Sequence, residues 1–96
     1  MNNYKELKSE CYKANMELPQ LDLVFYTFGN VSAVDREKGV FAIKPSGVPY
    51  ETLKEEDIVI VDFNNKVVEG EMRPSSDTKT HAFLYSNWDH IGGICH

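Results

Sequence analysis

The 96-residue sequence predicts a mixed α/β domain whose strands pair antiparallel. Three observations carry that expectation. An apolar stripe at helical spacing opens the chain, and β-branched and aromatic runs separated by tight polar turns fill its middle. A Pro74-Ser75-Ser76-Asp77 stretch then leads into a second run of helical spacing.

Taken in order, Tyr4, Leu7, Cys11, Ala14 and Leu18 recur every three or four residues, with Lys5, Glu6, Lys8, Glu10 and Lys13 between them. That is one face of an amphipathic helix, too short a stripe for a coiled coil and suited to packing on a sheet. Pro19 is expected to end it, because proline disfavours helix for the residue before it and donates no hydrogen bond. Leu21 to Phe28 reads as a strand broken at Gly29-Asn30, where Asn30 has the chemistry of a turn residue or of a binding group at a strand end. Val31 to Val34 and Val40 to Ile43 read as antiparallel partners around the polar turn 35–39. Lys44-Pro45-Ser46-Gly47 is a tight turn, and 51–57 a short helical turn exposing acids. Ile58 to Val61 is the most strand-like run of the chain; Asn64-Asn65 turns it back through Lys66 to Val68. Ser75 or Ser76 is the expected N-cap of the second helix, whose apolar positions are Phe83, Leu84 and Trp88. Ile91 to Cys95 reads as the opening of a buried strand, with Gly92 and Gly93 where another backbone comes close.

Composition excludes several classes. A net charge of -5 speaks against a nucleic-acid partner, which calls for a basic face. No apolar run approaches membrane-spanning length. The two cysteines, Cys11 and Cys95, have no framework spacing and no secretory signal before them, which implies reduced thiols in a cytoplasmic protein. Cys95 sits in an apolar run as a small buried hydrophobe. No repeat, linker or low-complexity tract divides the chain, so it is one domain or a piece of one.

Several residues carry candidate chemistry. The amides of the first turn after Ser75 and Ser76 sit at the positive end of a helix dipole and could hold a phosphate or carboxylate, although a capped surface helix carrying Asp77 would look the same. Lys44 and the turn around Ser46 and Gly47 could add a cation and further donors, or lie solvated. Asp77 and His96 are oxygen and nitrogen donors of the types zinc accepts, but two candidate ligands do not make a site. His81, one turn after Asp77, is read as a packed, hydrogen-bonded histidine and His90 as exposed. Arg73 is expected to pair with an acid such as Glu71 and is left out of the site.

The segments Thr27-Phe28-Gly29-Asn30-Val31-Ser32-Ala33-Val34-Asp35, Ile43-Lys44-Pro45-Ser46-Gly47-Val48-Pro49-Tyr50, Val68-Glu69-Gly70 leading into Pro74-Ser75-Ser76-Asp77-Thr78, and Ile91-Gly92-Gly93-Ile94-Cys95-His96 occur in one order at close spacing. In that order they resemble the class II aldolase/epimerase family, across essentially the whole chain, and most of all its sugar-phosphate 4-epimerases. The resemblance implies a three-layer α/β/α sandwich with a central, largely antiparallel sheet, of which residues 1–96 are the N-terminal part, truncated at the C-terminus. It implies a homotetramer with active sites between subunits. It places a sugar phosphate on Gly29, Asn30, Lys44, Ser46, Gly47, Ser75 and Ser76, and Zn2+ or another divalent metal on Asp77 and His96. The implied reaction interconverts L-ribulose 5-phosphate and D-xylulose 5-phosphate by retro-aldol cleavage and re-addition.

The third metal-binding histidine, the second histidine of the His-x-His pair and the family's acid/base Asp and Tyr would lie beyond position 96. The 96 residues alone are therefore expected to be inactive and to give no cooperative thermal transition. Two alternatives remain at this point. Aldolases of the family acting on fuculose or rhamnulose 1-phosphate usually carry Glu where Asp77 stands, and non-catalytic adducin-like members, which keep the fold as an interaction module, lose the metal ligands.

Overall fold

A computed structural model describes residues 4–20, 30–70, 72–75, 77–88 and 90–95, without the side chains of Pro19 and Cys95. The strand expected at 21–28 and the burial expected of Cys95 lie outside the described residues. Helix α1 spans Lys5–Gln20, one residue past the stop expected at Pro19. A proline in the last turn forfeits only one ladder bond, so the helix closes just after it.

Strands β1 (Val31–Asp35), β2 (Val40–Ile43), β3 (Val59–Asp62), β4 (Val67–Glu69) and β5 (Gly93–Cys95) form one five-stranded sheet in the order β4-β3-β2-β1-β5. Every pairing is antiparallel. β2 and β3 form the centre, in the register Phe41↔Val61 and Ile43↔Val59. Both are apolar at every position from 40 to 43 and 58 to 61 and buried throughout. That pattern follows from helices lying on both faces. On one face Leu7 and Cys11 of α1 meet Val40, Ala42, Ile58 and Ile60. On the other, Phe41, Ile43, Val59 and Val61 meet Ala82 and Tyr85. The second helix, α2 (Thr78–Asn87), supplies those two residues, so the layers run helix, sheet, helix. A short 3-10 turn, Glu55–Asp57, stands before β3.

Two expectations change. The buried face of α2 is Thr78, His81, Ala82 and Tyr85, while Phe83 and Trp88 are 61% and 44% exposed and stack edge to face on each other. The inner face brings His81 and Tyr85 to Ser32 of β1 and Ala82 and Tyr85 to the apolar face of the sheet. β5 is an edge of the described sheet rather than a buried strand; Gly93 is exposed and Ile94 half-buried. The glycine expectation there is met at Gly93, where a Cβ would stand 3.2 Å from the Ser32 carbonyl oxygen, but not at Gly92, where a Cβ would meet nothing within 4 Å. Arg36, in the turn after β1, donates to the carbonyls of Tyr85 (3.1 Å), Trp88 (2.7 Å) and Ile91 (2.8 Å), closing the C-terminal end of α2 onto the approach to β5. No helix among the described residues is long and apolar enough to cross a membrane.

Candidate functional site

The site is the junction where β2 ends, β1 begins and α2 begins. After β2 the chain meets the segment before α2 in a bridge between Pro45 and Pro74. Neither proline can donate, so their neighbours do: Ser46 N–H donates to the Arg73 carbonyl (2.7 Å) and Ser75 N–H to the Lys44 carbonyl (3.0 Å). Two stretches that the sequence separates by about thirty residues are thereby laid side by side.

Asn30 locks the third segment to them. It is 3% exposed, and its Nδ2 donates to Asp77 Oδ2 at 2.8 Å and to Ser75 Oγ at 3.2 Å. An amide bonded to a carboxylate is a charge-assisted contact that fixes both rotamers. Its Oδ1 is buried and has no hydrogen-bond partner among the described residues, an acceptor that calls for a donor from elsewhere. Among the described non-glycine residues the left-handed backbone belongs to Asn65, so Asn30 does not have the left-handed geometry of a turn residue. From α1, the buried Asn15 mimics a peptide: its Nδ2 donates to Val31 C=O and its Oδ1 accepts from Val31 N–H, both at 2.8 Å. The backbone immediately after Asn30 is held from the opposite face by that pair.

The helix entrance differs from the expectation. Asp77, rather than Ser75 or Ser76, occupies the N-cap position and makes no side-chain cap bond. Ser75 works one step earlier: its Oγ accepts from Asp77 N–H (3.2 Å), and its carbonyl accepts from Thr78 N–H (3.0 Å) and Thr78 Oγ1 (2.5 Å). The amides of Ser46, Ser75, Asp77 and Thr78 are therefore engaged within the protein. Those four amides are thus not free to hold the anion expected at the helix entrance.

Lys44 is not a solvated strand-end lysine. It is 2% exposed, with Nζ 4.9 Å from the centroid of the Tyr50 ring and donating to the Pro45 carbonyl at 3.5 Å. Burial disfavours the ammonium and lowers its pKa from the usual 10.5. Ser46 is half-buried; Gly47 is exposed, its φ of +72° supplying the left-handed corner of the turn. Gly29, Ser76 and His96 lie outside the described residues, as does Glu71, the acid expected beside Arg73. Arg73 itself is exposed and contributes its carbonyl. His90 is exposed as expected.

Among the described residues no group of three His, Cys, Asp or Glu side chains could hold a metal ion. The donor chemistry nevertheless fits at Asp77, a carboxylate oriented by a neighbouring amide in the way ligating carboxylates are held. Val31 pairs with Cys95, so the end of β5 comes beside the residue that follows Asn30. Hollows beside α1, one lined by Lys5, Lys8, Glu55 and Glu56, contain none of the candidate residues.

Sequence reasoning passed over Asn15, Ser32 and Tyr85. One signal was available: Asn15 follows Cys11 by four residues and so shares its apolar stripe, a polar residue where a core residue belongs.

Residues 9–96 match the family described as Class II Aldolase and Adducin N-terminal domain. A solved structure named L-fuculose 1-phosphate aldolase is similar at 44% identity and a TM-score of 0.88, over 95% of this chain and 43% of that one. YgbL from Klebsiella pneumoniae is similar in fold at 19% identity and a TM-score of 0.85, over 100% of this chain and 45% of that one. An L-fuculose 1-phosphate aldolase from Glaciozyma antarctica is similar in fold at 19% identity and a TM-score of 0.82, over 96% of this chain and 39% of that one. This chain thus spans less than half the length of each.

Proposed function

The chain belongs to the class II aldolase and adducin N-terminal domain family, and on that premise we propose that it forms part of an L-ribulose-5-phosphate 4-epimerase. The proposed reaction interconverts L-ribulose 5-phosphate and D-xylulose 5-phosphate. In this reading the chain is the N-terminal part of the catalytic domain, and the protein assembles as a homotetramer. The observation that carries the reading is the Asn30–Asp77 contact of 2.8 Å. It makes the acid at the helix entrance a short, immobilised carboxylate, suited to holding a cation rather than to reaching out and shuttling a proton as a glutamate would.

Asp77, with His96, would hold Zn2+ or another divalent metal, which when bound supplies Lewis-acid stabilisation of negative charge on a ketose oxygen. The remaining work falls to this chain's own side chains. Lys44, whose ammonium burial disfavours, gains from a dianionic phosphate, and Ser46, Gly47, Ser75, Ser76 and Gly29 would border the same group. Asn30 would border the same sugar phosphate while its Nδ2 stays on Asp77.

A second reading, an aldolase acting on L-fuculose 1-phosphate, is favoured by the 44% identity to the structure of that name. One experiment separates the two. The protein as expressed from its own gene is supplied with Zn2+ and offered each sugar phosphate in turn. Appearance of D-xylulose 5-phosphate from L-ribulose 5-phosphate, without cleavage of L-fuculose 1-phosphate, is expected. Cleavage without epimerisation would transfer the assignment to the aldolase, and inertness toward both would remove it from this class of substrate.

A further inference from the structure

Behind the Asn30–Asp77 contact lies a second, fully enclosed polar cluster. Ser32 Oγ is 2.6 Å from His81 Nδ1 and 2.7 Å from the Tyr85 hydroxyl. Each of the three residues is 1% exposed. We infer that Ser32, His81 and Tyr85 are positioning residues that set the placement of Asp77 against Asn30. The inference rests on the reading of Asp77 as a metal ligand given above.

Ser32 stands two residues after Asn30, and alternation along a strand directs both side chains to the α2 face. His81 stands one turn after Asp77, and its N–H donates to the Asp77 carbonyl at 3.1 Å. The path Asn30, Ser32, His81, Asp77 and back to Asn30 is therefore a closed ring in which two side-chain bonds join β1 to α2. One of them is the candidate site; the other lies inside the protein. Shifting α2 along or away from β1 would break both together.

One hydroxyl serves two partners, so Ser32 can donate to only one of them and must accept from the other. The orientations of the imidazole and the phenol are thereby coupled. Ile94, opposite Ser32 in β5, packs against the buried group that contains Tyr85, so the cluster lies where the start of β1, the first turns of α2 and β5 meet. Water cannot replace a deleted group here, since none of the three is accessible. An ordinary core contact would influence stability alone. A positioning contact must also alter the affinity of the group whose geometry it sets, as outer contacts of metal ligands do.

The test uses the protein as expressed from its own gene, free of substrate, with Zn2+ alone as the probe. Its dissociation constant is read by competition with a chromophoric chelator, and a thermal midpoint is taken in parallel. Ser32→Ala and Tyr85→Phe each delete one hydroxyl with little change of volume; His81→Asn keeps a polar atom near the Nδ1 position, while His81→Leu does not. Ser32→Ala and His81→Leu are expected to weaken Zn2+ binding by roughly 10–100-fold, with His81→Asn recovering part of the loss and Tyr85→Phe showing a smaller one. Asp77→Asn is the reference. If it weakens Zn2+ while Ser32→Ala and Tyr85→Phe stay within threefold of the parent, the metal reading survives and the positioning role is lost. If Asp77→Asn itself leaves Zn2+ affinity unchanged, the metal reading fails and the inference falls with it. Lower thermal midpoints at unchanged Zn2+ affinity would reduce the cluster to packing.

Discussion

Replacing Arg36 by alanine removes a three-pronged clamp from the end of α2. Its guanidinium donates to Tyr85, Trp88 and Ile91 carbonyls at 2.7–3.1 Å, groups that helix geometry leaves without intrahelical donors or that lie just past the helix. It also rests 5.8 Å and 5.9 Å from the ring centroids of Tyr85 and Phe63. Hydrogen bonds from a charged donor are each worth about 1.5–3 kcal/mol when buried. One of these three is exposed and water can rehydrate the freed carbonyls, so the sum is discounted to about 2–4 kcal/mol, cation–π and helix-dipole contributions included. Lysine keeps the charge but cannot fork among three carbonyls, and Arg36→Lys is expected to recover about a third of the loss. Urea unfolding at fixed protein concentration measures both variants, the slope serving as a check that the end states are unchanged. A loss below about 0.5 kcal/mol for Arg36→Ala, in the range of an ordinary surface substitution, would refute the clamp. Full rescue by lysine would show that charge alone, and not the fork, secures the helix end.

Three further outcomes follow from buried groups. Lys44 has a folded-state pKa below its unfolded value of 10.5, so the unfolded chain binds more protons between those two values and stability rises with pH across that window. Lys44→Met lacks that rise: it is expected to be the more stable form near pH 7, with the gap closing toward pH 10.5, and parallel urea curves across this range would contradict the burial of the ammonium. Cys11 is fully buried and its thiol is pushed up to about 12, so iodoacetamide at pH 8 should leave it unmodified in the native protein and label it only after unfolding; peptide mapping decides, and native labelling of Cys11 would contradict its enclosure. Asn15→Leu strands the Val31 N–H and leaves the Val31 carbonyl only the weak Cys11 thiol donor at 3.3 Å, an expected cost of about 1–3 kcal/mol in urea unfolding; a loss under about 0.5 kcal/mol would mean that water takes the amide's place.

Much of this architecture could be read from local pattern. The stripe Tyr4, Leu7, Cys11, Ala14 and Leu18, the apolar runs at 40–43 and 58–61 and the turns between them repeat with the periods of helix and strand. Such periods are properties of neighbouring residues, and they arrive in the structure nearly unshifted. The ordered segments around Asn30, Lys44 and Asp77 likewise point to one family from the sequence, and residues 9–96 match it. What local pattern misjudged was the choice between equivalent faces. Phe83 and Trp88, apolar positions expected to mark the inner face, point outward, while His81, Ala82 and Tyr85 turn inward onto Ser32 and the apolar face of the sheet.

The sequence by itself therefore determined the kind and order of the elements and the types of donor available at 30, 44, 46, 75 and 77. Only the tertiary structure decided that Asn30 grips Asp77 across 47 residues, that Lys44 is enclosed rather than solvated, and that Thr78, His81, Ala82 and Tyr85, not Phe83 and Trp88, form the inner face of α2. The reason is physical: periodicity reports how each residue relates to its chain neighbours, whereas pairing of buried polar atoms depends on distances that exist only after the chain has closed on itself.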